Sequence, residues 1–463
     1  MRYLLCLLLL LGASAQAFDR DRVEGYDLQN GLQVILKPTP ERGHVAIRLV
    51  VGVGFDDFAC PDKELPHLLE HLFFSGLGGA GEADLEARMQ ALGGEWNAFT
   101  SASDTAFVIE APAQNQRKVL DLLLQVLDDT QLTDARIATA KQVVQREGGG
   151  HYSHLERLLD RQDLGREAHD QLAVELGLAC AERPQVEHLQ REALEALRRD
   201  WYAPNNMSLI VVGDLDRLLP AFIERRFGAL APVEVREHPA LPESNDYAAE
   251  RRTLRRGLVG QSATLHWIYR EPEVDGADYA AWELLKDYLN WELYQQLRIQ
   301  NGLSYGPWTE RRAFGGETFL SLNADLERSD VEPALQVLRT LTTRLRDQGL
   351  DRDSFERLKN LAISRQAWAA QGNSALADYY WNSLGDYQEG RFGNEADALR
   401  AVTLQQVNAI ARELFHEPGY IRIEQPLLGY DQLAWLLPAL LGLALLAVLL
   451  WRGRRPGTRA APA

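Results

Sequence analysis

The chain has 463 residues, 25% of them charged and 46% apolar, with a formal net charge of −17. That acidity argues against nucleic acid as a partner. The balanced composition excludes a disordered or fibrous chain, and the length suffices for two domains of about 200 residues each.

At the amino terminus Met1-Arg2 precedes an apolar run from Leu4 to Leu11, and small residues follow up to Ala15-Gln16-Ala17. This is the pattern of a secretory signal peptide, residues 1–17, with the mature chain beginning near Phe18. Residues 18–230 read as a first domain. It opens with a hairpin over 26–36 around Asn30-Gly31 and a strand over 45–53. A helix opening near Pro66 carries His67-Leu68-Leu69-Glu70-His71, and a second helix covers 82–92. Strands at 95–100 and 105–110 come next, then amphipathic helices at 114–128 and 133–147. After more helix, Trp201-Tyr202-Ala203-Pro204 leads into a buried strand over 207–212, ended by Gly213-Asp214. Pro232, Pro239 and Pro242 mark a linker, residues 231–248.

Residues 249–428 read as a second domain that repeats this order: a strand at 263–269, a helix at 280–300, a strand at 317–326, several helices and a last strand near 420–424. The whole is an α+β chain of two similar domains, each with a mostly antiparallel sheet packed by helices. Residues 433–451 are almost wholly apolar and long enough to span a bilayer. Arg452, Arg454 and Arg455 follow at once, so the positive-inside rule keeps the tail, residues 452–463, in the cytoplasm. The two ends together place the bulk of the chain in the periplasm, anchored to the inner membrane by a C-terminal transmembrane helix. Only Cys60 and Cys180 remain after signal removal; in an oxidising compartment they could pair, but two cysteines make no disulfide framework.

The motif helix carries the chemistry. His67 and His71, four apart, project from one face of a helix and can share a zinc ion. Glu70 follows His67 by three positions, points to the same side, and can activate a water. The order H-x-x-E-H is the inverzincin signature; the plain alternative is an amphipathic helix with two surface histidines. A catalytic zinc needs a third protein ligand. Glu147 is the favoured candidate, on the polar face of the 133–147 helix. His151 and His154 are its rivals at i+4 and i+7, but Gly148-Gly149-Gly150 should break or loosen the helix before them.

Several separated strings resemble the pitrilysin/insulinase family of zinc metallopeptidases, in its half-size branch similar to mitochondrial processing peptidase. His67-Leu68-Leu69-Glu70-His71-Leu72-Phe73-Phe74-Ser75-Gly76 is similar to the family's zinc helix, and the spacing to Glu147 fits its distal glutamate ligand. Gly93-Gly94-Glu95-Trp96-Asn97-Ala98-Phe99-Thr100 resembles the edge strand beside the metal. The run from Tyr202 through Asn206-Met207 to Gly213-Asp214 resembles the close of a family N-terminal domain. Leu297-Arg298 and Gly302-Leu303-Ser304-Tyr305-Gly306 resemble its Arg/Tyr substrate-binding pair.

The resemblance implies one Zn2+ per chain, bound by His67, His71 and Glu147, with Glu70 as general base in peptide hydrolysis. It implies that Arg298 and Tyr305 donate hydrogen bonds at the substrate carbonyl. It also implies that Asn97, Ala98, Phe99 and Thr100 pair with substrate backbone as an added strand. Family members enclose peptides or unfolded segments between two bowl-shaped halves hinged like a clamshell. This chain supplies one half, so a homodimer, or a heterodimer with a related half-size chain, is implied. One departure stands out. Seven residues before the distal ligand, active members usually carry a second glutamate that supports the site; here that position is Ala140. The competing expectation is therefore a non-catalytic partner subunit or peptide-binding scaffold.

Overall fold

The apolar strands read from the sequence assemble into two separate sheets in the computed structural model. It describes residues 19–149, 167–182, 185–234, 236–245, 247–274, 276, 278–366 and 368–453. The expected signal peptide, His151, His154 and the tail beyond 453 lie outside the described residues. The helices in chain order are α1 (Leu65–Phe73), α2 (Glu82–Ala91), α3 (Gln116–Asp129), α4 (Asp134–Gly149), α5 (Ala168–Glu175), α6 (Arg191–Trp201), α7 (Leu219–Arg226), α8 (Tyr279–Leu293), α9 (Val331–Gln348), α10 (Arg352–Gln366), α11 (Asn373–Asn382), α12 (Glu395–Ala401), α13 (Leu404–Leu414) and α14 (Tyr430–Gly453). The predicted helix over 280–300 is α8, continued by a π-helical turn at Tyr294–Gln300.

Strands β1 (Glu24–Asp27), β2 (Gln33–Pro38), β3 (His44–Val51), β4 (Glu95–Thr100), β5 (Thr105–Pro112) and β6 (Met207–Gly213) form the first sheet, in the order β1-β2-β6-β3-β5-β4. The predicted hairpin is the β1–β2 pair, with Glu24 opposite Leu36 and Asp27 opposite Gln33. Gly31 in its loop has φ +87°, and a Cβ there would meet Asn205 Cβ at 2.6 Å, so glycine alone fits. Strands β7 (Arg251–Arg255), β8 (Ser262–Arg270), β9 (Trp308–Phe314), β10 (Glu317–Glu327) and β11 (Tyr420–Gln425) form the second, in the order β7-β11-β8-β10-β9. Leaving β1 aside, the two orders correspond strand for strand. In each, the pair at one end, β2 with β6 or β7 with β11, is parallel and the other pairs are antiparallel. The internal duplication inferred from element order is thus a repeated topology.

Two units share the chain, and they interleave. One comprises the described residues of 1–149, 182–241 and 364–397, the other those of 150–181, 242–363 and 398–463. The sequence reading, by contrast, drew two continuous domains on either side of a linker. Side-chain alternation explains the interleaving. On β3, Val45, Ile47, Leu49 and Val51 face the large core with α1 and α3, whereas Ala46 faces a second cluster with Ile35, Ile210, Leu376, Ala377 and Tyr380. A sheet apolar on both faces needs helices on both. For the first sheet the second cover is α11, from late in the chain. For the second sheet it is α5, whose Leu172 and Ala173, with Leu176 just past its end, pack on Ile268 and Phe319.

Both covering helices also meet a buried arginine. Arg48, 1% exposed, donates from Nε to Asp378 of α11 at 2.7 Å and from Nη2 to Glu110 at 3.0 Å. Arg422 on β11 donates from Nη2 to Glu175 of α5 at 2.8 Å. Beside it, His169 is buried against His266, whose Nδ1 lies 2.8 Å from Asn323 Oδ1. Burial, reinforced by the neighbouring His266, pushes the His169 ring well below its ordinary pKa.

Cys60 and Cys180 are both disulfide-bonded. Helix α14 carries an apolar stretch, Tyr430–Leu450, none of it buried. Leu436, Leu440, Leu443, Leu446 and Leu450 all stand exposed along it, more bare apolar surface than a soluble protein ordinarily shows.

Candidate metal centre

Helix α1 has two stripes, and each has its own task. Leu65, Leu68, Leu69, Leu72 and Phe73, spaced i, i+3, i+4, i+7 and i+8, are buried in the core of the first unit. The adjoining face presents His67, Glu70 and His71. Pro66 sits in the first turn, where its missing N–H leaves no hydrogen bond unmade.

The helix spacing brings His67 Nε2 to 3.2 Å from His71 Nε2. Helix α4 supplies the third group. Ile137, Ala140 and Val144 are buried along one side of it, and Glu147 lies at the end of that same stripe. Its Oε2 stands 3.2 Å from His71 Nε2 and 3.3 Å from His67 Nε2. The helix runs through Glu147 to Gly149.

These three distances test whether the residues fit zinc. Ligand atoms about 2.05 Å from a tetrahedral Zn2+ lie about 3.3 Å from one another. The triangle has that size, its donors are two imidazoles and one carboxylate, and three protein ligands leave a fourth position open. Zinc fits. His67, His71 and Glu147 are the one group of this kind among the described residues.

Glu70 is buried, and Thr100 Oγ1 at the end of β4 donates to its Oε2 at 2.7 Å. The neighbouring Thr105 Oγ1 donates to Val53 O at 2.9 Å. Tyr202 packs its ring on Phe73 with centroids 5.0 Å apart, and burial, with the charge of Glu70 adding to it, raises its phenol pKa. The sequence motifs missed one contact entirely. Glu64, just before α1, places Oε2 2.9 Å from His67 Nδ1. Burial disfavours the charged His67 ring, but the Glu64 hydrogen bond and the charges of Glu64, Glu70 and Glu147 outweigh it and raise the pKa of the free ring. No sequence signal singles out Glu64: an acid before a helix is ordinary, and only the direction of its side chain shows the contact with His67.

The remaining expected residues fall into two places. Strand β4, with Asn97, Ala98, Phe99 and Thr100, is the last strand of its sheet and pairs on one side only, with β5. Ala98 is buried, whereas Phe99 is 49% exposed. Arg298 and Tyr305 belong to the other unit and meet there. Arg298 Nη1 donates to Tyr305 O at 2.6 Å, and its guanidinium lies 4.2 Å from the Tyr305 ring centroid and 5.2 Å from that of Tyr294. The π-helical turn that carries Arg298 is a form concentrated at functional sites. Tyr305 is 82% exposed.

Two family models match this chain in succession. Insulinase (Peptidase family M16) matches residues 33–180, which include His67, His71 and Glu147, and Peptidase M16 inactive domain matches residues 188–362. The chain belongs to peptidase family M16. Among similar proteins, the uncharacterized zinc protease YmxG of Bacillus subtilis is 20% identical over 415 residues, covering 87% of this M16 chain and 98% of YmxG. In structure, a protease from Helicobacter pylori superposes with TM-score 0.71 at 17% identity, over 88% of this chain and 100% of that one. The periplasmic protease PqqL of Escherichia coli superposes with TM-score 0.68 at 16% identity, over 88% of this chain but 47% of PqqL. The fold is shared with both solved structures, and this chain matches about half the length of PqqL.

Proposed function

We propose that this M16 chain is a zinc-dependent endopeptidase that cleaves peptides or unfolded polypeptide segments. The observation that carries the reading is the triangle of His67, His71 and Glu147 at tetrahedral spacing, with Glu70 beside it on the same helix. Zinc bound there supplies Lewis acidity and a water acidified toward neutral pH. Glu70, held by Thr100, takes the proton of the attacking water and returns it to the leaving amine. The free edge of β4 accepts an extended substrate backbone as an additional strand, a grip that tolerates many sequences. The guanidinium of Arg298 and the phenol of Tyr305 donate to the substrate carbonyl as negative charge develops on it.

A half-size chain carrying both the metal triangle and the Arg298/Tyr305 pair supports an assembly of two such chains, or of one with a related half, that closes around its substrate. The apolar first residues and the bare helix α14 support export to the periplasm and anchoring in the inner membrane. The competing reading is a non-catalytic partner subunit, favoured by Ala140 where active relatives carry a carboxylate. Two measurements on the full chain in detergent separate the readings. Glu70→Gln retains zinc and abolishes cleavage of unstructured peptides if Glu70 is the base; undiminished turnover refutes that role. Wild-type protein with well under one zinc per chain refutes the enzyme and favours the partner subunit.

A further inference from the structure

Glu64 makes a contact that the peptidase motifs do not ask for. A carboxylate only accepts hydrogen bonds, so Glu64 Oε2, 2.9 Å from His67 Nδ1, favours the tautomer with its proton on Nδ1. The neutral ring then has its lone pair on Nε2, the atom that faces His71 and Glu147 at 3.2 and 3.3 Å. The side-chain oxygen of a residue at a helix start can accept from the free N–H groups of the first turn. Glu64 does not: only its backbone oxygen joins the helix, accepting from Leu68 N at 2.9 Å, and its side chain makes no cap. Its carboxylate is spent on His67 instead, and the two side chains are only 24% and 22% exposed.

On α4 the opposite has happened. Ala140 is 7% exposed and packed among core residues, so no carboxylate reaches the site from the turns before Glu147 at that position. We propose that Glu64 is the outer carboxylate of this metal centre, orienting His67 for zinc from the start of α1 in place of a glutamate on α4. The inference rests on the zinc reading given above. Glu64 touches neither substrate nor metal; it is a positioning residue.

Outer carboxylates of this type change metal affinity about tenfold to a hundredfold. The test is a Zn2+ titration of the full chain in detergent against a competing chelator, for wild type, Glu64→Ala and Glu64→Gln, with the melting temperature of each metal-free protein measured alongside. The expected result is Glu64→Ala weaker by about tenfold to a hundredfold, Glu64→Gln between it and wild type, and unchanged metal-free melting. The amide of glutamine still accepts from Nδ1 but lacks the charge, which is why it ranks between. Affinities within about twofold of wild type overturn the role of Glu64. A loss of affinity matched by a loss of metal-free stability also overturns it, because Glu64 is then a structural residue of α1. Wild type that fails to take up one zinc overturns the metal centre itself, and Glu64 with it.

Discussion

Replacing Thr100 by valine removes one hydroxyl and keeps the shape of the side chain. That hydroxyl donates to Glu70 Oε2 at 2.7 Å, a charge-assisted hydrogen bond. Bonds to charged groups contribute about 1.5–3 kcal/mol. Glu70 is 8% exposed, so water is a poor substitute for the lost donor. If the bond holds the base in line with the attacking water, its full worth enters the barrier, and at about 1.4 kcal/mol per decade kcat falls about ten- to 150-fold. The backbone of β4 is unaltered, so KM for an unstructured peptide stays the same, and zinc content stays the same because Glu70 is not a ligand. The assay is steady-state cleavage of a fluorogenic peptide by full-length wild type and Thr100→Val at matched zinc content. A kcat within about twofold of wild type, or a variant that loses its zinc, refutes this account of Thr100.

Three further outcomes follow from the same geometry. Glu147→Ala leaves two imidazoles to hold the ion, and elemental analysis should find well under one zinc per chain; full occupancy refutes Glu147 as the third ligand. Arg48→Met leaves Glu110 and Asp378 without their buried cation, which costs about 3–5 kcal/mol when such partners are fully buried. Both acids reach solvent, with side chains 28% and 47% exposed, and His44 stays 2.9 Å from Glu110, so thermal unfolding should show a loss below that range, and none at all refutes the coupling of α11 to the first sheet through Arg48. His169 is neutral when folded because its pKa is lowered, while the unfolded chain takes up a proton below pH of about 6.5. Stability is therefore present above that pH and is lost as pH falls below it, at up to about 1.4 kcal/mol per unit for the one proton. Urea midpoints between pH 7.5 and 5.5 should show this slope reduced in His169→Gln, whereas equal slopes refute it.

The grouping of His67 and His71 was legible because it is local. A four-residue spacing on one helix puts His67 and His71 on one face, but the polar face expected for Glu147 was misread: it stands at the end of the buried stripe of Ile137, Ala140 and Val144. Strands with continuous apolar runs, such as 45–53 and 207–212, were legible for the same reason. Strands β7 (Arg-Arg-Thr-Leu-Arg) and β9 (Trp-Thr-Glu-Arg-Arg-Ala-Phe) were not, since end strands that face water on one side carry no such run. Glu64 passed as an ordinary residue of a helix start, because its identity fits that place and only the rotamer reveals its partner. The interleaving of the units was hidden by distance along the chain: Arg48 and Asp378 are 330 residues apart, and nothing near Arg48 announces that its counter-charge arrives so late.

That late arrival has a practical meaning for anyone dissecting this molecule. Cutting after Leu241, within the stretch marked by Pro232, Pro239 and Pro242, looks harmless on paper, yet a fragment ending there lacks Leu376, Ala377 and Tyr380 and bares Ile35, Ala46 and Ile210 to water. The complementary fragment forfeits Leu172, Ala173 and Leu176 from above Ile268 and Phe319. Neither piece is a natural building block, and each should be sticky alone. Co-expressed, the two have reason to find each other, since each carries the lid that the other is missing.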